Sequence, residues 1–511
     1  MSDGRAIRRI VRRAVAAASL TLAASASAQP ALPTAAPYLV VPFENMAGES
    51  RLYWLGEASA VLLTDHLNAV GAPAIRREHR LRAFTRLRVP SVSTLSHATV
   101  IRVGQVVGAA SVVVGAFALE NDEIVVRART IRLDTGRISL ELVERGPLAD
   151  LVRIYGRIAR RIAPDAVTSA TQMDQAYPSP AAFEQYIKGL LAESAQAQVT
   201  FLSQALRLAP AFQRPRLALW EVHTEQGDHD EALAIVRQVP ATHALGRQAR
   251  FLAAVSMLHL EQYQAAFDAF TALNREAADP ALLNNLGVTQ SRRRQAAYPG
   301  GRAVSYFGEA VTLDGSDPDL FFNLGYAYWL DSDPQGAIYW LREAVRRNPA
   351  DADAHHVLGV ALQTSGNAAE AAREKELARR LSSTYAEWEA KQPGANAVPR
   401  GLERIKLDLD LPAALRVEAA VVAAEQRDQR AVADFHFERA QRFVAAGRDE
   451  EAIAELRRTI FLSPYDSDAH LLLGRIYLRT GRRDEAIEAL TIAAWSDPDS
   501  AEARELLDSV R

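Results

Sequence analysis

Residues 318–383 read PDLFFNLGYAYWLDSDPQGAIYWLREAVRRNPADADAHHVLGVALQTSGNAAEAAREKELARRLSS. Leu324, Gly325, Tyr328, Ala337, Leu341, Ala344 and Pro349 stand at fixed offsets, and Leu358, Gly359, Leu362, Ala371 and Ala378 repeat five of them 34 residues later. The apolar positions recur at helical spacing, so each copy is a hairpin of two helices. Gly325 and Ala337 fall where the two helices cross, and a larger side chain would hold the axes apart. Ala344 plays the same part against the next copy. Each hairpin leaves an apolar face open, so copies must stack, and the product is a solenoid with a concave groove.

A 34-residue period with small residues at these crossings resembles the tetratricopeptide repeat, a family of all-α solenoids. Weaker copies flank the clear pair. Phe183, Tyr186, Gly189, Leu202, Ala205 and Pro210 mark a first, Trp220, Gly227 and Ala232 a second, Ala254, Ala266, Phe270 and Pro280 a third. In the second, Asp228 with Glu231 three residues on has the spacing of a capping box. Leu286 and Gly287 open a fourth, with Tyr298-Pro299-Gly300-Gly301 as a longer turn before Ala303. The repeats are expected over 178–384 and 431–511, ending in a polar capping helix. Between them residues 385–430, broken by Pro393-Gly394, Pro399 and Pro412, read as an irregular helical connector that partly continues the stack or acts as a hinge.

The chain has 511 residues, 49 % of them hydrophobic and 24 % charged, the balance of a helix-rich protein with a sizeable core. Its formal charge is −3, and residues 1–28 carry five Arg against one Asp, so the remainder is more acidic still. That excludes a general nucleic-acid-binding role. With no cysteine there is no disulfide, thiolate metal site or cysteine nucleophile. Arg5, Arg8, Arg9, Arg12 and Arg13, then the apolar run Ala14–Ala24 and Ala26-Ser27-Ala28, form a secretory signal cleaved after Ala28. The general export route is preferred over twin-Arg export. The expected location is periplasmic or secreted, with no stable membrane insertion after cleavage, because no later stretch is apolar over the roughly 20 residues that span a bilayer.

After a Pro- and Ala-rich linker over 29–37, residues 38–165 alternate strand and helix patterns. The apolar run Tyr38–Phe43 predicts a strand, Leu52–Val70 a helix closed by Gly71, and Ala74–Arg76 a second, parallel strand. A basic helix and one over Ser93–Val107 follow. Ser111–Ala118, Glu123–Leu133 and Arg137–Glu144 predict an antiparallel meander, turned at Asn121-Asp122 and Asp134-Thr135-Gly136. Leu148–Ile162 closes the unit as an amphipathic helix. The fold class is a small mixed-sheet α/β domain followed by an all-α repeat solenoid.

Val41-Pro42-Phe43-Glu44-Asn45 with Gly48, then Trp54-Leu55-Gly56, Val107-Gly108-Ala109, Val114-Gly115 and Asp134-Thr135-Gly136 form a succession that resembles the amino-terminal domain of TolB and the related FlgO-like and CsgG-like envelope domains. The resemblance spans about a quarter of the chain. It implies an envelope protein that works by contacting other proteins. No β-propeller repeat follows, so the partner of TolB itself is not implied.

Counting from Gly325, the side chains of Phe322, Asn323, Tyr326 and Trp329 fall on the groove side of their helix. They read either as core packing against the neighbouring helix or as a patch for an extended peptide or helix, with Tyr326 and Trp329 as anchors. Asn284, Asn285 and Arg292 on the preceding helix would add amide and guanidinium donors. This set incompletely resembles carboxylate-clamp repeats, whose lysines are missing, so that ligand is not expected. His355, His436 and His470 share one repeat position and read as packed rings, not metal ligands. Arg76, Arg77, Arg80 and Arg82, with Arg86 and Arg88, form a basic run that reads as a solvated helix face, or as a patch for an anionic partner.

Gly104 and Gly108 precede a strand, where a phosphate loop needs glycines after one. No catalytic or metal motif stands out, and no cofactor is expected. The functional expectation is a periplasmic, non-catalytic scaffold that binds an envelope protein or peptide in its groove. The alternative is a sensory module whose α/β domain binds a small ligand.

Overall fold

The computed structural model describes residues 37–46, 48–87, 89, 95–164, 177–293, 301–391, 398–409 and 419–510. The expected signal at 1–28, residues 29–36 of the expected linker, Arg88, Tyr298-Pro299-Gly300, Pro393-Gly394 and Pro412 lie outside these residues.

A mixed sheet is built from β1 (Tyr38–Val40), β2 (Glu44–Asn45), β3 (Ser111–Glu120), β4 (Glu123–Arg132) and β5 (Leu142–Pro147). β1 and β2 lie end to end, both parallel to β3, and β3, β4 and β5 run antiparallel. Asn121 and Asp122 both take positive φ, the two-residue turn that matches strand twist. The expected strand Ala74–Arg76 shrinks to one bridge, Ala74 to Tyr38. The expected strand Arg137–Glu144 begins five residues later, because only Ile138 of the earlier stretch pairs, with Ile131.

The strands alternate their side chains between two cores. Val40, Val113 and Phe117 join α1 (Trp54–Ala69) and α4 (Leu151–Ile162) on one face. Leu39, Val41 and Val112 join α2 (Arg77–Arg86) and α3 (His97–Val106) on the other. The first core does not stop at the domain edge. It runs on through Phe183, Tyr186, Ile187, Leu202 and Leu219 of the first repeats. The α/β domain therefore covers the apolar end that a repeat array would otherwise expose.

Six hairpins follow: α5 (Pro180–Leu191) with α6 (Ala195–Leu208), α7 (Arg214–Gln226) with α8 (His229–Val236), α9 (Gly246–His259) with α10 (Tyr263–Glu276), α11 (Pro280–Arg293) with α12 (Ala303–Leu313), α13 (Pro318–Leu330) with α14 (Pro334–Arg347), and α15 (Ala352–Thr364) with α16 (Ala368–Leu381). α17 (Ser383–Lys391) ends this block. A Cβ on Gly325 would lie 2.7 Å from the Leu341 side chain and 3.0 Å from its backbone nitrogen, which is why that crossing takes glycine. Asp317, Asp333 and Asp351 cap α13, α14 and α15 with side-chain hydrogen bonds. The expected capping box at Asp228 is not made; its side chain caps nothing at the start of α8.

A second block holds α18 (Ala419–Ala445), α19 (Asp449–Leu462), α20 (Ser467–Arg479), α21 (Arg483–Ser496) and α22 (Ala501–Val510). It folds back on the start of the chain. The Trp495 ring lies 6.5 Å from Phe201, the Tyr53 hydroxyl donates to Glu488 at 3.1 Å, and the Tyr465 N–H donates to Glu193 at 2.8 Å. Among the described residues no helix is long and apolar enough to cross a membrane.

Candidate protein-binding groove

The connector is the main departure from the expected helices. Residues 398–409 form no helix; beyond a bend at Arg400 and Gly401 (φ 80°) they run along the groove formed by α11, α13 and α15, with the backbone groups of 404 and 406 turned to one face as in a strand. Two features of the sequence explain this. Pro399 and Gly401 disfavour a helix, and from Arg404 to Leu409 charged and apolar residues alternate, the period of a strand.

Two asparagines hold the backbone of this strand. Asn323 Oδ1 accepts the Arg404 N–H at 2.8 Å, and Asn323 Nδ2 donates to the Arg404 carbonyl at 2.8 Å. Asn285 does the same for Lys406, at 2.9 Å and 2.8 Å. Asn285 and Asn323 each stand two residues before the crossing glycine, Gly287 and Gly325, so the repeat itself sets their spacing. In an extended strand residues 404 and 406 present their backbone groups on the same side, about 6.6 Å apart. Asn284 links the pair: it donates to the Arg404 carbonyl at 2.8 Å and accepts from Asn323 at 2.7 Å. All three asparagines are fully buried, and each side-chain amide is used as a peptide group would be.

The strand's side chains are read as well. The Arg404 guanidinium lies 3.9 Å from the centre of the Phe322 ring and pairs with Asp319 at 2.7 Å and Asp351 at 2.6 Å. Lys406 Nζ pairs with Asp317 at 2.8 Å and Asp319 at 2.6 Å. Burial alone would raise the Asp319 pKa, but the Lys406 and Arg404 charges outweigh it and hold the carboxyl well below the usual range. Burial likewise opposes the charge on both cations, and the aspartates overcome it, so both pKa values rise. Asp317 and Asp351 cap helices and bind the strand with the same carboxylates.

Six of the seven groove residues named from the sequence, Asn284, Asn285, Arg292, Phe322, Asn323 and Tyr326, touch this segment. The Tyr326 hydroxyl donates to the Pro399 carbonyl at 2.9 Å, and burial, then Glu403, push its pKa up to about 12. Arg292 lies 3.5 Å from Glu403. Phe322 and Tyr326 sit in a buried cluster against which Trp329, Val398 and Leu402 pack. Phe322 and Tyr326 are core, and a segment of the same chain closes over them. The aspartates at 317, 319, 351 and 353 were not singled out from the sequence, although 317 and 351 recur at the repeat period.

The basic run is a solvated face only in part: Arg76 and Arg86 are exposed, while Arg77, Arg80 and Arg82 turn inward. Arg80 is 1 % exposed; it pairs with Glu57 of α1 and donates to the Val40 carbonyl at 3.0 Å. Arg77 pairs with Glu57 at 2.8 Å and donates to the Leu190 carbonyl at 2.8 Å, tying the α/β domain to the first repeat. Arg82 pairs with Asp408, at the end of the groove strand. Arg76 remains at the surface. Three of these four arginines are thus engaged within the chain.

His355 Nε2 donates to the Pro349 carbonyl at 3.0 Å and Nδ1 meets Glu374 at 2.6 Å; His470 Nε2 donates to the Pro464 carbonyl at 2.9 Å. Each ring braces the proline six residues earlier, and His436 meets Glu455 at 2.6 Å. Among the described residues no group of three His, Cys, Asp or Glu is placed to hold a metal ion.

Two stretches match the tetratricopeptide-repeat family, residues 301–352 and 443–509. No curated protein matches the chain by sequence. Among solved structures it is similar to YrrB, described as a repeat protein with an unusual peptide-binding site, at 19 % identity over 37 % of this chain and 97 % of that one, with a TM-score of 0.29. PilF of Pseudomonas aeruginosa is similar at 18 % identity over 39 % and 89 %, TM-score 0.32. MamA of Desulfovibrio magneticus RS-1 is similar at 17 % over 36 % and 97 %, TM-score 0.29. Neither family match reaches the α/β domain, so the chain joins tetratricopeptide repeats to a mixed-sheet α/β domain.

Proposed function

We propose that this protein is a non-catalytic interaction scaffold of the cell envelope, with the repeat groove as a site for an extended segment of protein. The observation that carries the reading is the double pairing of Asn285 and Asn323 with strand backbone. Backbone pairing accepts any extended chain, and side-chain pockets then select among sequences. The signal-like N-terminus and the resemblance of residues 38–165 to TolB-type domains support a periplasmic setting. In that setting the α/β domain would meet one envelope component and the solenoid another, each raising the effective concentration of the other.

The test is crosslinked capture from an envelope extract with the intact chain, beside Asn285→Ala/Asn323→Ala. A partner held by the parent and lost by the folded double variant supports the reading and locates the site. Failure of the parent to capture any envelope protein contradicts it.

A further inference from the structure

The strand in the groove belongs to the same chain, so the groove as observed is closed to an outside peptide. We propose that residues 398–409 are an exchangeable internal ligand, displaced by a partner segment of the same chemistry: an extended strand with two cationic side chains two residues apart. This rests on the groove being a protein-binding site and adds what it selects and how it is kept shut.

The groove's chemistry specifies that partner. Asp317, Asp319 and Asp351 converge on two positive charges, and Asp353 stands 3.6 Å from the first of them. A neutral or acidic strand would leave the buried Asp317, Asp319 and Asp351 without counter-charges, which is costly in so enclosed a place. The first cation is fixed as planar by the Phe322 face and the fork of Asp319 and Asp351, which suits arginine; the second is met by point contacts, which suits lysine. Leu402 packs against one apolar cluster, while Ile405 packs against another. The motif is therefore apolar-x-Arg-apolar-Lys, as in Leu402 to Lys406 itself.

The hold on the strand is made of contacts that an exchanging strand can replace one for one. The Asn amides read only backbone, and the aspartates read two cations that another strand can supply. Among the described residues, the pair of Arg82 of α2 with Asp408 reaches outside the solenoid. Release of the strand would break that pair and so be felt by the α/β domain. A tethered ligand competes at an effective concentration on the order of millimolar, so a free partner binds in proportion to the small open fraction.

The experiment uses a fluorescein-labelled peptide of residues 398–409 and the intact chain, either as the parent or as Arg404→Ala/Lys406→Ala. Anisotropy should show the double variant binding the peptide about tenfold or more tightly than the parent. A peptide with both cations changed to Ala should bind neither. Equal weak binding by parent and folded variant, or equal binding of the two peptides, overturns the proposal. A second measurement does not depend on the variant folding. Biotinylated peptide added to the parent at about millimolar concentration should accelerate hydrogen exchange in the chain's own 398–409 segment. Unchanged exchange overturns it. Because the probe is the chain's own sequence, these outcomes are independent of whether an envelope partner is captured.

Discussion

Asn323 and Arg404 are joined by two hydrogen bonds of 2.8 Å, one to the backbone N–H and one from the side-chain amide to the carbonyl. Asn323→Ala would leave both backbone groups buried with fewer partners, at about 1–3 kcal/mol for each one left unsatisfied. The variant should melt at lower temperature than the parent. Hydrogen exchange should quicken over 398–409 while α20 and α21 keep their protection. Equal melting and equal exchange would mean the amide pairing does not hold the strand.

Acid should loosen the same contact. The folded Asp319 pKa is lowered because Lys406 and Arg404 outweigh the opposing effect of burial, whereas an unfolded Asp titrates near about 3.9. The stabilisation is therefore full above that value and is lost as pH falls through the lower folded value. Melting temperature should fall more steeply below about pH 4 in the parent than in Asp319→Asn. Parallel curves would contradict this.

His355 carries the opposite sign. Its bond to Glu374 raises its folded pKa, with burial opposing and the Pro349 carbonyl adding to the rise. The contribution is full below the unfolded value of about 6.5 and is lost as pH rises through the higher folded value. In Glu374→Gln the decline in melting temperature above about pH 6.5 should flatten. An unchanged slope would show that this pair does not set it.

Two glycines should respond in opposite directions to the same change. Gly325→Ala forces a methyl against Leu341 and should cost about 1–3 kcal/mol. Gly308, inside α12 with open space around the missing Cβ, should gain about 0.5–1 kcal/mol on Gly308→Ala. Chemical denaturation of both variants checks the pair, and a shared sign would undo the packing argument.

The crossings at Gly325 and Ala337 were legible because a 34-residue period cannot be kept without them, and the Asn121-Asp122 turn because so few residues tolerate positive φ. The groove face was legible too, since helical spacing from Gly325 assigns Phe322, Asn323 and Tyr326 to one side. Its occupant was not. Pro399 marked a break in the helices, but where the broken chain would go depended on Asn285, 121 residues before Lys406. Asp317 and Asp351 were hidden by their other role as helix caps. Arg77 and Arg80 misled for a different reason: a charge run shows no burial, and their counter-charge, Glu57, lies on another helix.

The most direct measurement of the central claim is residue-resolved hydrogen exchange on the intact chain at Arg404 and Lys406. Occupation of the groove by residues 398–409 predicts slow exchange at both amides, lost in Asn285→Ala/Asn323→Ala while the amides of α13 stay protected. Exchange of Arg404 and Lys406 in the parent at the rate of an unstructured peptide, with α13 still protected, would contradict it.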